Sequence, residues 1–237
     1  KINSFLFFSF STKAEPFTPS QKKAIERIIQ NYLLNKPELI VKSMEKLRER
    51  EQAEQINKTK GLLRTYSDRI YQHPMSPYTG DKNGDVTLVE FFDYQCGFCK
   101  RVAKELFEVV EDDGNVRLVL KEFPILGTTS TFAAQAALAA GRQGLYAPMH
   151  KALLAHRGRL SESAVKQIAR EVGADLARLK RDMADPAIAT HLEAIQSVAL
   201  RLGIRGTPAF VIGMDIIPGA IDGAAIRAKI KAVREGS

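Results

Sequence analysis

Two cysteines separated by two residues, Cys96 and Cys99, constrain this chain most strongly, and no other cysteine occurs in it. The β-branched and aromatic residues 86–92 come directly before them and predict a buried strand, whereas residues 100–111 have helical spacing. This order places Cys96 at a helix N-terminus, where unpaired N–H groups and the helix dipole favour an anion. We therefore predict that Cys96 is a reactive thiolate, with a pKa below the free value of about 8.5. Cys99, one turn inside the helix, would resolve a mixed disulfide formed at Cys96.

Zinc binding is the competing use of a Cys-x-x-Cys pair, and it needs two further ligands. The histidines are His73, His150, His156 and His191. His150 and His156 have ligand-like spacing but follow the cysteines by about fifty residues, instead of the dozen or so typical of zinc sites. We expect ordinary surface or core histidines, no metal site and no cofactor.

The composition allows one large domain, or one domain with an extension. The chain has 237 residues, of which 45% are hydrophobic, so it can bury a full core. Its formal net charge of +8 keeps nucleic acid and anionic membranes under consideration. However, Lys and Arg alternate with Glu and Asp, as in residues 45–51, and Trp is absent. This favours a solvated mixed surface over nucleic-acid binding. No stretch reaches the roughly 18 apolar residues that span a bilayer.

The first fourteen residues resemble a processing segment. Residues 2–10 form a short Phe-rich apolar run after Lys1, and the following polar residues end in the small Ala14. We interpret residues 1–14 as the remainder of a secretory signal with cleavage after Ala14, although an ordinary apolar strand or tag would look similar. Export would place the protein in an oxidising compartment.

Residues 15–77 predict a helical segment that needs a partner. Thr18, Pro19 and Gln21 form a capping box, and a second helix begins near Glu38. One helix face carries a stripe of apolar residues: Ile25, Ile28, Ile29, Tyr32 and Leu33. The stripe fades over residues 48–60, which predicts a polar spacer before a linker at residues 73–85. The partner could be the body of the same chain, but we favour a second protomer and hence a homo-oligomer.

The remaining pattern alternates between strands and one long helical block. Residues 116–123 predict a second strand, and strand character returns at residues 208–212 and 216–219 before a closing helix. Between these strand regions, residues 128–202 are almost wholly helical in pattern. A block of this length predicts an inserted helical subdomain.

Three separated motifs, read in order, resemble the DsbA family of thioredoxin-fold proteins over about residues 78–235. They are the strand and cysteine motif at residues 89–100, the strand end at residues 122–127, and residues 206–210. The resemblance implies an α/β thioredoxin fold with a helical insertion at about 128–202, preceded by an all-helical N-terminal extension. It also implies a periplasmic location and thiol–disulfide exchange with protein substrates.

The resemblance further implies roles for three residues. Pro208 would be cis and face the cysteines, while the backbone of Thr207 would bind an extended substrate; from the residues alone, a trans turn remains possible. Glu90 lies six residues before Cys96 in an apolar strand. If buried, it would have a raised pKa and exchange protons with the Cys99 thiol; alternatively, it faces solvent.

Departures from the monomeric oxidase of this family favour a disulfide isomerase. Gly97 and Phe98 between the cysteines offer no cation or side-chain donor, so Cys96 should be less acidic and its disulfide less oxidising. Thr207 before the proline resembles the isomerases. The helical extension resembles that of suppressor-of-copper-sensitivity C-type proteins, which are trimeric, and of dimeric DsbA-like proteins.

Three functional hypotheses follow. The first is an exported, oligomeric disulfide isomerase or reductase with disulfide-bearing or unfolded protein substrates and a DsbD-like membrane redox partner. The second is a dithiol oxidase recharged by a DsbB-like membrane partner. The third is a chaperone or copper-binding module, in which the two thiols hold a soft metal.

Overall fold

The computed structural model describes residues 17–236, which divide into two compact units between Gln55 and Ile56. The first unit contains helix α1 (Pro19–Asn35) and the beginning of α2 (Glu38–Thr65). The predicted capping box is present: Thr18 Oγ1 accepts a hydrogen bond from the Gln21 amide at 3.3 Å, and Gln21 Oε1 accepts one from the Thr18 amide at 2.8 Å. The proposed signal remnant, residues 1–14, lies outside the described residues.

The first unit exposes its apolar side chains. No residue of α1 is buried. In α1 and the beginning of α2, the exposed large apolar residues are Ile25, Ile28, Ile29, Tyr32, Leu33, Leu34, Ile40, Val41, Met44 and Leu47. Together these ten residues are called the N-terminal apolar surface below. An exposed apolar surface made of ten residues usually marks a site of interaction with another molecule.

The sequence predicts a thioredoxin domain over residues 78–237, but the second unit begins earlier, at Ile56. Leu63 near the end of α2 and Ile70 in α3 (Ser67–Tyr71) are almost completely buried in the core of the second unit. In addition, the predicted linker at residues 73–85 contains a short strand, β1 (Tyr78–Gly80). Residues 56–77 thus contribute to the core through the buried side chains of Leu63 and Ile70.

A five-stranded mixed sheet forms the centre of the second unit, with strand order β1-β3-β2-β4-β5. The other strands are β2 (Val86–Phe92), β3 (Val116–Glu122), β4 (Ala209–Ile212) and β5 (Asp215–Pro218). The central strand β2 runs parallel to β3 and antiparallel to β4, while β1 and β5 form antiparallel edges. Both faces of the sheet are covered, which explains why β2 is a nearly continuous apolar run.

The predicted helical insertion is present between β3 and β4. It consists of α5 (Thr128–Gly141), α6 (Tyr146–Ala155), α7 (Glu162–Glu171), α8 (Leu176–Met183) and α9 (Pro186–Arg201). Pro186 begins α9, as expected for a residue without an amide hydrogen at the first helical position. Helices α4 (Gly97–Asp113) and α10 (Gly223–Glu235) complete the fold.

The two faces of the sheet have separate cores. Leu88 and Phe92 of β2 pack in the core that contains α4, α10 and most of the insertion, whereas Val89 and Phe91 pack with α9 and α3. Within residues 17–236, no helix combines the length and the hydropathy that a membrane span requires.

Candidate active site

Cys96 is the N-cap of α4, in the position predicted from the order strand, Cys-x-x-Cys, helix. Its backbone is extended (φ −72°, ψ 114°), and its sulfur accepts a hydrogen bond from the Cys99 amide at 3.4 Å. Cys96 is only 6% exposed and Cys99 is fully buried, and both are reduced. Helix α4 thus directs an unpaired N-terminal amide at the Cys96 sulfur.

Hydrogen bonds lower the pKa of Cys96 to about 5. The largest contribution is the Cys99 thiol, which donates to the Cys96 sulfur; the Thr207 side chain and the amides of Cys99 and Phe98 add to it, while burial opposes it. No cation is among these causes. The predicted low pKa is therefore due to donors at the helix start and to Thr207.

The hydrogen bond between the two cysteines has the opposite effect on the pKa of Cys99. Its hydrogen bond to Cys96 raises the pKa of the Cys99 thiol far above the ordinary value, and burial and the nearby Glu90 carboxylate raise it further. Near neutral pH, Cys96 is a thiolate and Cys99 a thiol. The two cysteines are chemically distinct before any substrate arrives.

Glu90 is buried, as required for the predicted proton exchange, and does not face solvent. It is 2% exposed on the face of β2 that also carries Leu88 and Phe92. Burial, followed by the charge of Cys96, raises its pKa to about 8. In this buried region, the charge of Cys96 raises the pKa of Glu90, and the charge of Glu90 raises the pKa of Cys99.

Thr207 and Pro208 adjoin the cysteines. The Thr207–Pro208 peptide bond is cis, and the Cys96 sulfur lies 3.2 Å from the Thr207 carbonyl oxygen, which accepts a hydrogen bond from Cys96 when Cys96 is protonated. Pro208 is buried and immediately precedes β4, while Thr207 is partly exposed. Phe98, in contrast, is 55% exposed, with the Arg101 guanidinium 5.0 Å from its ring centroid. Gly97 is exposed, with open space around its α-carbon.

Asp93 is an organising residue that our sequence reasoning missed. Its carboxylate is buried and accepts hydrogen bonds from the amides of Gln95 (2.7 Å), Ile125 (2.9 Å) and Leu126 (3.0 Å) and from the Ser130 hydroxyl (2.8 Å). It therefore joins the approach to Cys96, the loop after β3 and the start of α5. The available signal was an acidic residue directly after a buried strand.

A second buried polar group also escaped the sequence analysis. The Tyr94 and Tyr146 hydroxyls each donate to Glu122 Oε1 at 2.8 Å, and Tyr94 also contacts His150 Nδ1 at 2.9 Å. Burial raises the pKa of Glu122 well above its ordinary range, and Asp93 and Glu90 add to this. His150 is thus a buried partner of tyrosines, which agrees with its interpretation as a core residue.

The described residues contain no group of three or more His, Cys, Asp or Glu side chains arranged to hold a metal ion. The arrangement at Cys96 is chemically suited to thiol–disulfide exchange. It provides an acidic thiolate, a protonated second thiol and a buried carboxyl group beside them.

Comparison with known proteins identifies two regions. The model of the DSBA-like thioredoxin domain matches residues 87–231, and that of the copper resistance protein ScsC N-terminal domain matches residues 21–54. A curated relative, the Na(+)/H(+) antiporter NhaA 1 of Salinispora arenicola, is 32% identical over 135 residues, or 56% of this chain and 21% of that protein. The chain thus spans about a fifth of the length of this relative.

In two solved structures, the part that matches this chain is nearly the whole of the solved chain. A thioredoxin-like oxidoreductase from Silicibacter pomeroyi is 42% identical, with a TM-score of 0.70, and covers 72% of this chain and 98% of its own. A linker-deletion mutant of ScsC from Proteus mirabilis is 25% identical, with a TM-score of 0.72, and covers 95% of this chain and 100% of its own. These likenesses confirm the predicted thioredoxin fold with its helical N-terminal region. Because the first family model covers more than half of the chain, the protein belongs to the family of DSBA-like thioredoxin domains, with an N-terminal region of the ScsC type.

Proposed function

We propose that the protein is an exported thiol–disulfide oxidoreductase that acts mainly as a disulfide isomerase or reductase on protein substrates. One observation carries this proposal, namely the unequal acidity of the two cysteines. The pKa of Cys96 falls to about 5, while hydrogen bonding and burial keep Cys99 protonated. Only the thiolate is an effective nucleophile, so attack on a substrate disulfide starts at Cys96.

The exchange proceeds in two balanced steps. The Cys96 thiolate attacks one sulfur of a substrate disulfide, forming a mixed disulfide and releasing a substrate thiolate. In isomerisation, a different substrate thiolate then attacks the substrate sulfur of the mixed disulfide, which forms a new substrate disulfide and releases the Cys96 thiolate. In reduction, Cys99 loses its proton and attacks the Cys96 sulfur, which releases the second substrate thiolate and leaves a Cys96–Cys99 disulfide. Glu90 accepts the Cys99 proton in its ionised form, which a pKa of about 8 leaves as a minor fraction near neutral pH.

The surroundings of Cys96 support substrate binding by an extended chain. Thr207 is partly exposed, and its backbone adjoins the sulfur. Phe98, in the first turn of α4, and Leu126, whose carbonyl accepts a hydrogen bond from the Gln95 side chain at 3.3 Å, are 55% and 49% exposed. Because an unfolded protein presents apolar side chains together with free backbone, exposed apolar residues beside an available backbone suit such a substrate.

The preference for isomerisation rests on the N-terminal unit. The residues between the cysteines do not add to it: although neither Gly97 nor Phe98 contributes a side-chain donor, the pKa of Cys96 still falls to about 5, and a stabilised thiolate favours a more oxidising disulfide, contrary to the expectation from the sequence. The N-terminal apolar surface supports a homo-oligomer through residues 15–77, in which several thiolates serve one substrate. A DsbD-like membrane partner would keep Cys96 reduced. The periplasmic location rests on our interpretation of residues 1–14 and is tested by cell fractionation.

Refolding of a scrambled disulfide-rich protein tests the proposed function. The full chain in a glutathione buffer should restore native pairing, and Cys96→Ser should abolish this activity. Cys99→Ala should accumulate a mixed disulfide with substrate, visible on non-reducing gels, because the resolving thiol is absent. An enzyme that oxidises a reduced substrate but leaves the scrambled one unchanged would instead be the dithiol oxidase with a DsbB-like partner.

Copper binding remains a separate candidate because of the match to the ScsC N-terminal domain. The matched residues 21–54 contain no cysteine or histidine, so a soft metal would have to bind at Cys96 and Cys99. Titration with Cu(I) in the presence of a competing chelator, in the wild type and in Cys96→Ser, tests this. Full function of Cys96→Ser in cells would contradict both enzyme hypotheses.

A further inference from the structure

A polar cavity lies on the opposite side of the sheet from the cysteines. Its volume is about 210 Å³, and Phe91, Ile195 and Val198 form its apolar lining. Phe91 points away from the face that carries Glu90, because successive side chains of a strand alternate. The polar lining residues are Arg69, His73, Lys121 and His191, all within the second unit. We call this space the basic cavity.

Cationic or basic groups make up the polar lining of the basic cavity, which includes no carboxylate. Lys121 is 1% exposed and donates from Nζ to the Arg69 carbonyl and to Ser76 Oγ, both at 2.7 Å. An ammonium group has three hydrogens, so one remains for a ligand. None of the described residues forms a hydrogen bond or an ion pair with the Arg69 guanidinium. Like charges are therefore gathered here without a counter-ion.

His191 provides an independent indication of a ligand. It is 2% exposed, and neither ring nitrogen has a hydrogen-bond partner among the described residues. Buried polar atoms in folded proteins are nearly always paired, so two unpaired nitrogens lining one cavity indicate a missing partner. The His73 ring lies 4.5 Å from that of His191, and its Nδ1 accepts from the Met75 amide, which leaves Nε2 available.

We propose that the basic cavity binds a small oxyanion, such as sulfate or phosphate. The third Lys121 hydrogen and the Arg69 guanidinium supply charge-assisted donors, and an N–H of each histidine completes the set. At about 30 Å³ of liquid volume per water molecule, the cavity has room for a tetrahedral anion and ordered water. A cation is disfavoured, because Lys121 and Arg69 repel it.

Occupancy would connect elements that are separated along the sequence. Arg69 lies on α3, Lys121 on β3 and His191 on α9. An oxyanion held by all three would tie the segment between α2 and β1 to the sheet and the insertion. Because a ligand that binds only the folded state stabilises it, the anion should raise the melting temperature.

Proton uptake should accompany binding. Burial, followed by the charge of Arg117, lowers the pKa of Lys121 to about 7, and burial with the charges of His73 and Lys121 lowers the pKa of His191 to about 3. A dianion held among Arg69, Lys121 and the two histidines opposes both shifts. Sulfate is the better probe, because it keeps its charge over the range in which Lys121 titrates. Its affinity should rise as the pH falls from about 8.5 to about 6.5.

Isothermal titration of the full chain with sodium sulfate, against sodium chloride at equal ionic strength, tests the proposal. We expect saturable binding with one site per chain, a dissociation constant of about a millimolar, and heats that differ between buffers of different ionisation enthalpy. Inorganic phosphate should compete with sulfate, whereas acetate should compete less well if a tetrahedral anion is preferred.

Three variants assign the binding to this cavity. Arg69→Gln, at an exposed position, should weaken sulfate binding about tenfold. His191→Phe keeps a ring in the core but removes both nitrogens, and should abolish the sulfate-dependent rise in melting temperature, as should Lys121→Met. The matched control Arg170→Gln, on the surface of α7, should bind like the wild type. Absence of saturable binding, or equal binding by wild type and His191→Phe, would overturn the proposal.

Discussion

At the residue scale, the acidity of Cys96 depends on donors that the fold directs at one sulfur. The Cys99 thiol, the Thr207 side chain and the amides of Cys99 and Phe98 all favour the thiolate. None of them carries a formal charge, so salt should screen their effect only weakly. The acidity is therefore a property of the helix start and the Thr207 loop together.

Titration of the thiolate absorbance should give a midpoint near pH 5 for Cys96. Cys99→Ala removes the donor with the largest effect, so its midpoint should rise by about one pH unit, equivalent to one hydrogen bond of about 1.4 kcal/mol. Met214→Ala, an exposed substitution, serves as the control and should leave the midpoint unchanged. A midpoint near the free thiol value would contradict the site geometry.

Glu90 should make stability depend on pH. Its pKa rises from 4.5 to about 8 on folding, so its contribution is fully present below about pH 4.5 and is lost as the pH rises to about 8. At about 1.4 kcal/mol per pKa unit, the loss amounts to a few kcal/mol. In urea unfolding, the free energy of unfolding of Glu90→Gln should not show this decline with rising pH, whereas that of the wild type should. The exposed Glu111→Gln is the matched control and should retain it.

At the element scale, Asp93 connects three segments that are distant in sequence. Its two oxygens accept from the segment after β2, from the loop after β3 and from α5. This arrangement fixes Leu126, an exposed residue that we assign to substrate binding. A carboxylate can accept several bonds at once, which a neutral side chain of similar size cannot fully replace.

Asp93→Ala should destabilise the protein by about 3 kcal/mol, because buried donors lose their acceptor. Ser130→Ala, which removes one of the same bonds, should cost about 1 kcal/mol. Chemical denaturation measures both. If the two variants were equally stable, Asp93 would not organise the loops as inferred.

At the scale of the whole molecule, the two units differ in how their apolar residues are used. The second unit buries a core on each face of its sheet, whereas α1 has no buried residue. Leu63 and Ile70 belong to the second unit, so a variant that starts at Tyr78 would lack part of that core. A chain that starts at Ile56 is the better test of independent folding.

Light scattering should find the full chain oligomeric and the chain from Ile56 monomeric and folded. Met44→Glu places a charge in the N-terminal apolar surface and should dissociate the oligomer without changing the unfolding of the second unit. Lys42→Glu, on the opposite face of α2, is its control and should remain oligomeric. A monomeric full chain would contradict the role that we assign to residues 15–77.

Local patterns in the sequence were sufficient to predict much of this protein. The apolar run before Cys96 and the helical spacing after Cys99 predicted the strand, the motif and the helix, because these signals lie within a few residues of one another. The helix start at Thr18 and the helical insertion at residues 128–202 were also predicted from patterns among neighbouring residues. The fold class and the position of Cys96 at a helix start were therefore accessible from the residues and the family resemblance.

Tertiary structure alone decided which distant groups meet. The four donors to Asp93, the tyrosines on Glu122 and the basic cavity bring together residues from separate elements, and no spacing in the chain encodes those contacts. The earlier start of the second unit at Ile56 has the same cause. Leu63 and Ile70 lie in a mostly polar stretch, and only the folded structure shows that they are buried in the core. The sequence thus determined the elements and placed Cys96 at a helix start, while packing in three dimensions determined the acidity and the surroundings of this cysteine, because pKa values and hydrogen bonds depend on proximity in space.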